Sequence, residues 1–126
     1  DFDADGDMDL LATTRRSGGT VFLYENTLGD GTRWAQFKVE GTAPSNRDAI
    51  GARVTATTGS LVQIREVKGG KGHGNTASTR VVHFGFGSHT EQIDITVRWP
   101  SGLEELFADV AENTRHTLVE GTGQTL

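Results

Sequence analysis

The stretch QIDITVRW, residues 92 to 99, alternates strictly: Ile93, Ile95, Val97 and Trp99 fall on one face, and Gln92, Asp94, Thr96 and Arg98 on the other. A period of two marks a strand with one buried face, so the chain must place sheets over a core. Weaker alternation runs through ARVTATT at Val54 and Ala56, LVQIREV at Val62 and Ile64, and TRVVHFGF at Val81 or Val82 with Phe84 or Phe86. Helical spacing is poor. Only LEELFADV offers a stripe, at Leu103, Leu106, Phe107 and Val110, but Pro100, Ser101 and Gly102 before it make a turn that equally opens a strand, and a strand is the favoured reading. Seventeen glycines and many Thr and Val residues agree with short strands joined by tight turns.

Upstream, MDLLATT, RRSGG and TVFLYEN read as a β-hairpin, and TLGDGTRW as a connector. The expected fold is therefore all-β: a hairpin within residues 1–27, then an antiparallel β-sandwich over residues 34–126. A chain of 126 residues has room for one ordinary domain plus such a fragment. An isolated hairpin is marginal in water, so it is expected to pack on the sandwich or to belong to a larger array of sheets.

The chain opens DFDADGDMD, and Asp1, Asp3, Asp5, Asp7 and Asp9 supply five of its seventeen acids, leaving twelve against twelve bases. The acidity is one site and not a general surface property. Close carboxylate pairs repel by about 1 kcal/mol in water and by more where partly buried. A hard cation offsets that repulsion. Calcium accepts six to eight oxygens at loose geometry, and Gly6 allows the sharp turn that wraps them around it. The spacing D-x-D-x-D-G matches the start of an EF-hand loop, yet the twelfth position holds Ala12 in place of a bidentate Glu, and MDLLATT reads as a strand instead of a helix. Side-chain ligation is assigned to Asp1, Asp3, Asp5 and Asp9, and a main-chain carbonyl to Asp7, whose own carboxylate is expected to face solvent. Magnesium suits such an all-protein cage less well because it resists losing water. The alternative is an acidic solvated turn that binds nothing.

Other patterns carry less chemistry. With no cysteine, disulfides, thiolate nucleophiles and the usual structural zinc sites are excluded. No apolar run reaches the roughly 20 residues of a spanning helix, no signal peptide opens the chain, and the even charge outside the loop gives no reason to expect nucleic acid or membrane insertion. Because the first residue already belongs to a motif, the chain reads as a segment of a longer protein. The glycine-rich stretch GGKGHGNT has Asn75 where a phosphate loop needs Lys, and reads as a hairpin loop. His73, His83, His89 and His116 share no paired-ligand spacing, and no nucleophile elbow is present. The cluster Asn46, Arg47 and Asp48 is first a turn with Ile50 plugging the core, and second a carbohydrate or protein contact. Trp34 is a second candidate for stacking on a sugar, whereas Trp99 reads as core.

The loop running straight into a strand, DFDADGDMDLLAT, resembles the calcium-binding blade motif of FG-GAP or VCBS repeats, which build β-propellers. The remainder resembles the ASPIC and UnbV domain, through NRDAIGARV at 46 to 54, REVKGGKGHGN at 65 to 75, VHFGFG at 82 to 87, VRWPSG at 97 to 102, and Asn113, Val119 and Glu120. Phe86 stands where that family's pattern has Leu. The resemblance implies a noncatalytic extracellular or cell-surface module, attached to a propeller, with a β-sandwich fold. It supplies no ligand and no catalytic residues, and the expected partner is an unidentified protein or glycan. Three functions are thus in view: a calcium-stabilised interaction or adhesion module, a carbohydrate-binding sandwich, and an accessory domain of a biosynthetic or hydrolytic enzyme.

Overall fold

The computed structural model describes residues 1–14, 18–28, 31–70 and 79–126. Every regular element among them is a strand, and they divide into two compact units, Asp1–Thr32 and Arg33–Leu126.

The first unit is the acidic loop followed by β1 (Leu10–Thr13) and β2 (Val21–Tyr24). These pair antiparallel, from Leu10 opposite Tyr24 to Thr13 opposite Val21. The Thr14 amide donates to the Thr20 carbonyl and the Thr20 amide to Thr14 Oγ1, each at 3.0 Å, closing the hairpin. Arg15, Arg16 and Ser17 of the expected turn lie outside the described residues. Both faces of the hairpin are apolar and exposed: Leu10, Leu11, Val21, Leu23 and Tyr24 all stand in solvent.

The second unit holds β3 (Arg33–Glu40), β4 (Arg53–Thr58), β5 (Leu61–Glu66), β6 (Val82–Gly87), β7 (Ile93–Arg98), β8 (Glu104–Phe107), β9 (Thr114–Val119) and β10 (Gln124–Thr125). They form a five-stranded sheet in the order β10-β8-β7-β4-β5 and a three-stranded sheet in the order β6-β3-β9. All pairings are antiparallel except β3 with β9, which run parallel from Ala35 opposite Thr114 to Glu40 opposite Val119. Parallel neighbours need a long crossover, and here β4 to β8 intervene in sequence. The result is an all-β sandwich.

One hydrophobic core joins the two sheets. Ile93, Ile95, Val97 and Trp99 are buried, as the alternation of QIDITVRW dictates, and so are Val54 and Ala56. From the three-stranded sheet come Phe37, Phe84 and Phe86, with Phe37 and Phe84 edge to face at 5.9 Å, the geometry aromatic pairs prefer. LEELFADV supplies β8, a strand.

Two sequence expectations fail. On β5 the register sets Leu61, Gln63 and Arg65 opposite Thr58, Ala56 and Val54, so those three face inward while Val62 and Ile64 are exposed. This is an edge strand, and polar groups can occupy its inner face by finding partners at the sandwich margin. Gln63 Nε2 donates to the Gly85 carbonyl at 2.7 Å, and the Arg65 guanidinium lies 5.2 Å from the Phe84 ring centroid. Similarly, Ile50 is exposed and its neighbour Ala49 fills the core position.

Candidate metal centre

The acidic loop is built by its own side chains. Asp5 Oδ1 accepts the Asp7 amide at 2.8 Å, Asp3 Oδ1 the Asp5 amide at 3.4 Å, and Asp1 Oδ1 the Gly6 amide at 3.3 Å. The short Asp3 and Asp5 side chains thereby mimic backbone turns, and Asp1 bonds across the loop, curling the chain inward. Ala4 and Gly6 take positive φ, 64° and 99°, and only Gly does so without steric cost.

Asp9 closes the loop. Its Oδ2 accepts the Phe2 amide and its Oδ1 the Asn26 amide, both at 2.9 Å. Those donors, Asn26 first and then Phe2, hold the Asp9 carboxyl below the ordinary carboxylate range. Asn26 escaped the sequence reading. Its signal lay in the hairpin register, since pairing Leu10 with Tyr24 returns the chain after β2 to the start of β1.

Asp1, Asp3 and Asp9 each present a carboxylate oxygen such that all three lie within 4.8 Å of one another. Oxygens at about 2.3 to 2.6 Å from one shared Ca²⁺ are at most about 5 Å apart, so this donor set fits a single calcium ion. Among the described residues no other group of three or more His, Cys, Asp or Glu side chains converges in this way. Asp5 stands outside the trio and is exposed. Asp7 is also outside it and, against expectation, is buried instead of facing solvent.

The remaining candidates disperse. Trp34 is half-buried near the start of β3 and stacks on His83 at 6.2 Å. Arg47 is tied to the far end of that strand, where its carbonyl accepts the Gly41 amide at 3.0 Å. The six steps of extended chain between Trp34 and Glu40 span about 20 Å, so Trp34 does not share a site with the turn. Asn46 is occupied locally, accepting the Ile50 amide at 2.8 Å and donating to its carbonyl at 2.9 Å, and Asp48 lies 3.6 Å from Arg80. His89 sits 3.6 Å from Glu91 and His116 bonds the Ala111 carbonyl at 2.7 Å. His73 lies outside the described residues, as does the glycine-rich stretch from Lys71 to Thr76.

Several of the sequence marks used to recognise the sandwich turn out to be its fastenings. Asn113, at φ 54°, accepts the Trp34 amide through its side chain and donates its own amide to the Trp34 carbonyl. Glu120 is buried and accepts the Thr42 amide at 2.8 Å, the Ser45 hydroxyl at 3.0 Å and the Ser101 hydroxyl. A sequence profile described as ASPIC and UnbV matches residues 41–125. The chain belongs to the ASPIC and UnbV family. The match begins after the acidic loop and hairpin, which the family assignment therefore does not cover. No curated protein and no solved structure matched the chain. The ASPIC and UnbV marks at Asn46, Ser101, Asn113 and Glu120 hold turns and join strands, which is structural work.

Proposed function

We propose that this chain is a noncatalytic, calcium-binding interaction module of a larger secreted or cell-surface protein. In it the ASPIC and UnbV sandwich follows the last blade of an FG-GAP or VCBS propeller. The observation that carries this reading is the convergence of the Asp1, Asp3 and Asp9 carboxylates within 4.8 Å, in a loop whose turns are already set. Asp1, Asp3 and Asp9 would hold the ion; it would supply charge compensation, locking the loop against the hairpin strand. A second support is the hairpin itself. Two strands with exposed apolar residues on both faces are what one edge of a larger array presents.

The test follows the amide resonances of the full chain as Ca²⁺ is added. Saturable shifts confined to Phe2–Asp9 and Asn26, abolished in Asp3→Asn with Asp9→Asn and weaker with Mg²⁺, are the expected result. A response spread over acidic residues throughout the chain, unchanged in the double variant, would refute the assignment.

A further inference from the structure

We infer that the sandwich carries a binding site for a small organic oxyanion on the outer face of its five-stranded sheet, gripped by Arg53 and Arg98. At one end of that sheet a cleft of about 690 Å³ opens, within the range of small-molecule sites. Its lining includes Arg53, Lys68 and Arg98, with Arg65 reaching it from the strand edge while its guanidinium sits inward at the Phe84 ring, and one carboxylate, Glu66, in a chain whose net charge is −5. Positive charge is thus gathered at a single concavity of an acidic protein.

The strand register sets Arg53 directly opposite Arg98. Like charges so placed destabilise a sheet. The same register flanks the pair with acids, Glu66 opposite Arg53 and Glu104 opposite Arg98, but neutralisation is partial: Glu104 lies 3.5 Å from Arg98, while Glu66 turns to Lys68 at 3.3 Å. The Arg53 guanidinium has no ion-pair or hydrogen-bond partner among the described residues, and Arg65 donates only to the Ile64 carbonyl and to Gln63 Oε1. Two guanidinium groups facing one space, with one unpaired, form the fork that binds carboxylate, sulfate or phosphate oxygens.

The surroundings suit a small polar molecule with an apolar side. Ile64, which the β5 register turns outward, lines the cleft, and Trp99 lines it from the core. Arg53, Ile64 and Arg98 also line an adjoining groove of about 230 Å³ with Thr55 and Thr96, where hydroxyls extend the surface along the strands. The calcium loop belongs to the other unit. The two proposals therefore stand or fall separately.

The test is an NMR titration of the full chain in chelator with three probes, glucuronate, inorganic sulfate and inorganic phosphate, and with glucose as an uncharged control. The Trp99 indole resonance and the amides of Arg53 and Arg98 report occupancy. The expected result is saturable shifts with at least one oxyanion and none with glucose. Affinity should fall about tenfold in Arg53→Gln and in Arg98→Gln, one charge-assisted contact each, and stay unchanged in Lys38→Gln on the other sheet. Preference for glucuronate would assign a carboxylated sugar or related acid; preference for an inorganic ion would assign a sulfate or phosphate group. Silence with all three oxyanions, or shifts equal in the wild type and the folded Arg53→Gln variant, would overturn the proposal.

Discussion

Replacing Glu120 by Ala tests how the two sheets are fastened. Its carboxylate, in a residue 5 % exposed, accepts three donors: the Thr42 amide and Ser45 hydroxyl beyond β3, and the Ser101 hydroxyl between β7 and β8. Residue 120 itself follows β9, and its amide donates to the Glu40 carbonyl at 2.9 Å. One side chain thus ties the three-stranded sheet to a turn of the five-stranded sheet. Hydrogen bonds to a charged acceptor contribute about 1.5 to 3 kcal/mol each, but the hydroxyls can turn to other partners, so a loss of about 3 kcal/mol is expected for Glu120→Ala. Glu120→Gln keeps the shape and one acceptor, and should lose about 1 to 2 kcal/mol. In a unit of this size about 3 kcal/mol lowers Tm by more than about 10 °C. The assay is urea unfolding of the full chain and both variants, followed by Trp fluorescence. An Ala variant within about 0.5 kcal/mol of wild type would refute the clamp, since that is the size of an ordinary surface change.

The same residue sets a pH dependence. Burial alone would raise the Glu120 pKa, but the bonds from Ser101, Thr42 and Ser45 outweigh it and hold the carboxyl below its ordinary value. A folded pKa below the unfolded one means stability that is fully present above the ordinary Glu range and lost as pH falls through the folded value. Wild-type stability should therefore drop below about pH 4, and Glu120→Gln should drop less steeply; parallel acid limbs would contradict this. Gly123→Ala should destabilise the sandwich by about 1 to 3 kcal/mol, because a Cβ there would lie 2.9 Å from both Glu105 Cβ and Phe107 Cζ; a neutral melt would show that the β9–β10 turn yields freely. Phe37→Ala should cost about 3 to 5 kcal/mol, measured by the same unfolding curves. Val62→Thr should stay within about 0.5 kcal/mol, and a large loss would mean that β5 is turned the other way.

How much of this was legible depended on what each residue had to satisfy. QIDITVRW fixed its own face because β7 lies between two neighbours and over a full core, so only apolar side chains fit inward. LVQIREV misled because β5 has one neighbour and a margin where Gln63 and Arg65 find partners across the sandwich; period two located the strand but not its inner side. The parallel β3–β9 pair was invisible for a related reason, since strand direction across a long crossover leaves no local mark. In the loop, spacing pointed to Asp1, Asp3, Asp5 and Asp9 alike; that Asp5 stands outside the converging trio, that Asp7 is buried and that Asn26 bonds Asp9 depend on contacts that the linear motif does not contain. The basic cleft leaves no mark in the sequence because Arg53, Lys68 and Arg98 lie apart in it and meet only through the strand register.

Calorimetric titration of the full chain with Ca²⁺, repeated on Asp3→Asn with Asp9→Asn, decides whether the acidic loop is a calcium site. One saturable site per chain is expected in the wild type, with a melting temperature that rises with Ca²⁺ as mass action requires. Both should be lost in the double variant, while the sandwich still unfolds at its calcium-free temperature. Heat of binding and a thermal shift that persist unchanged without Asp3 and Asp9 would contradict the calcium assignment.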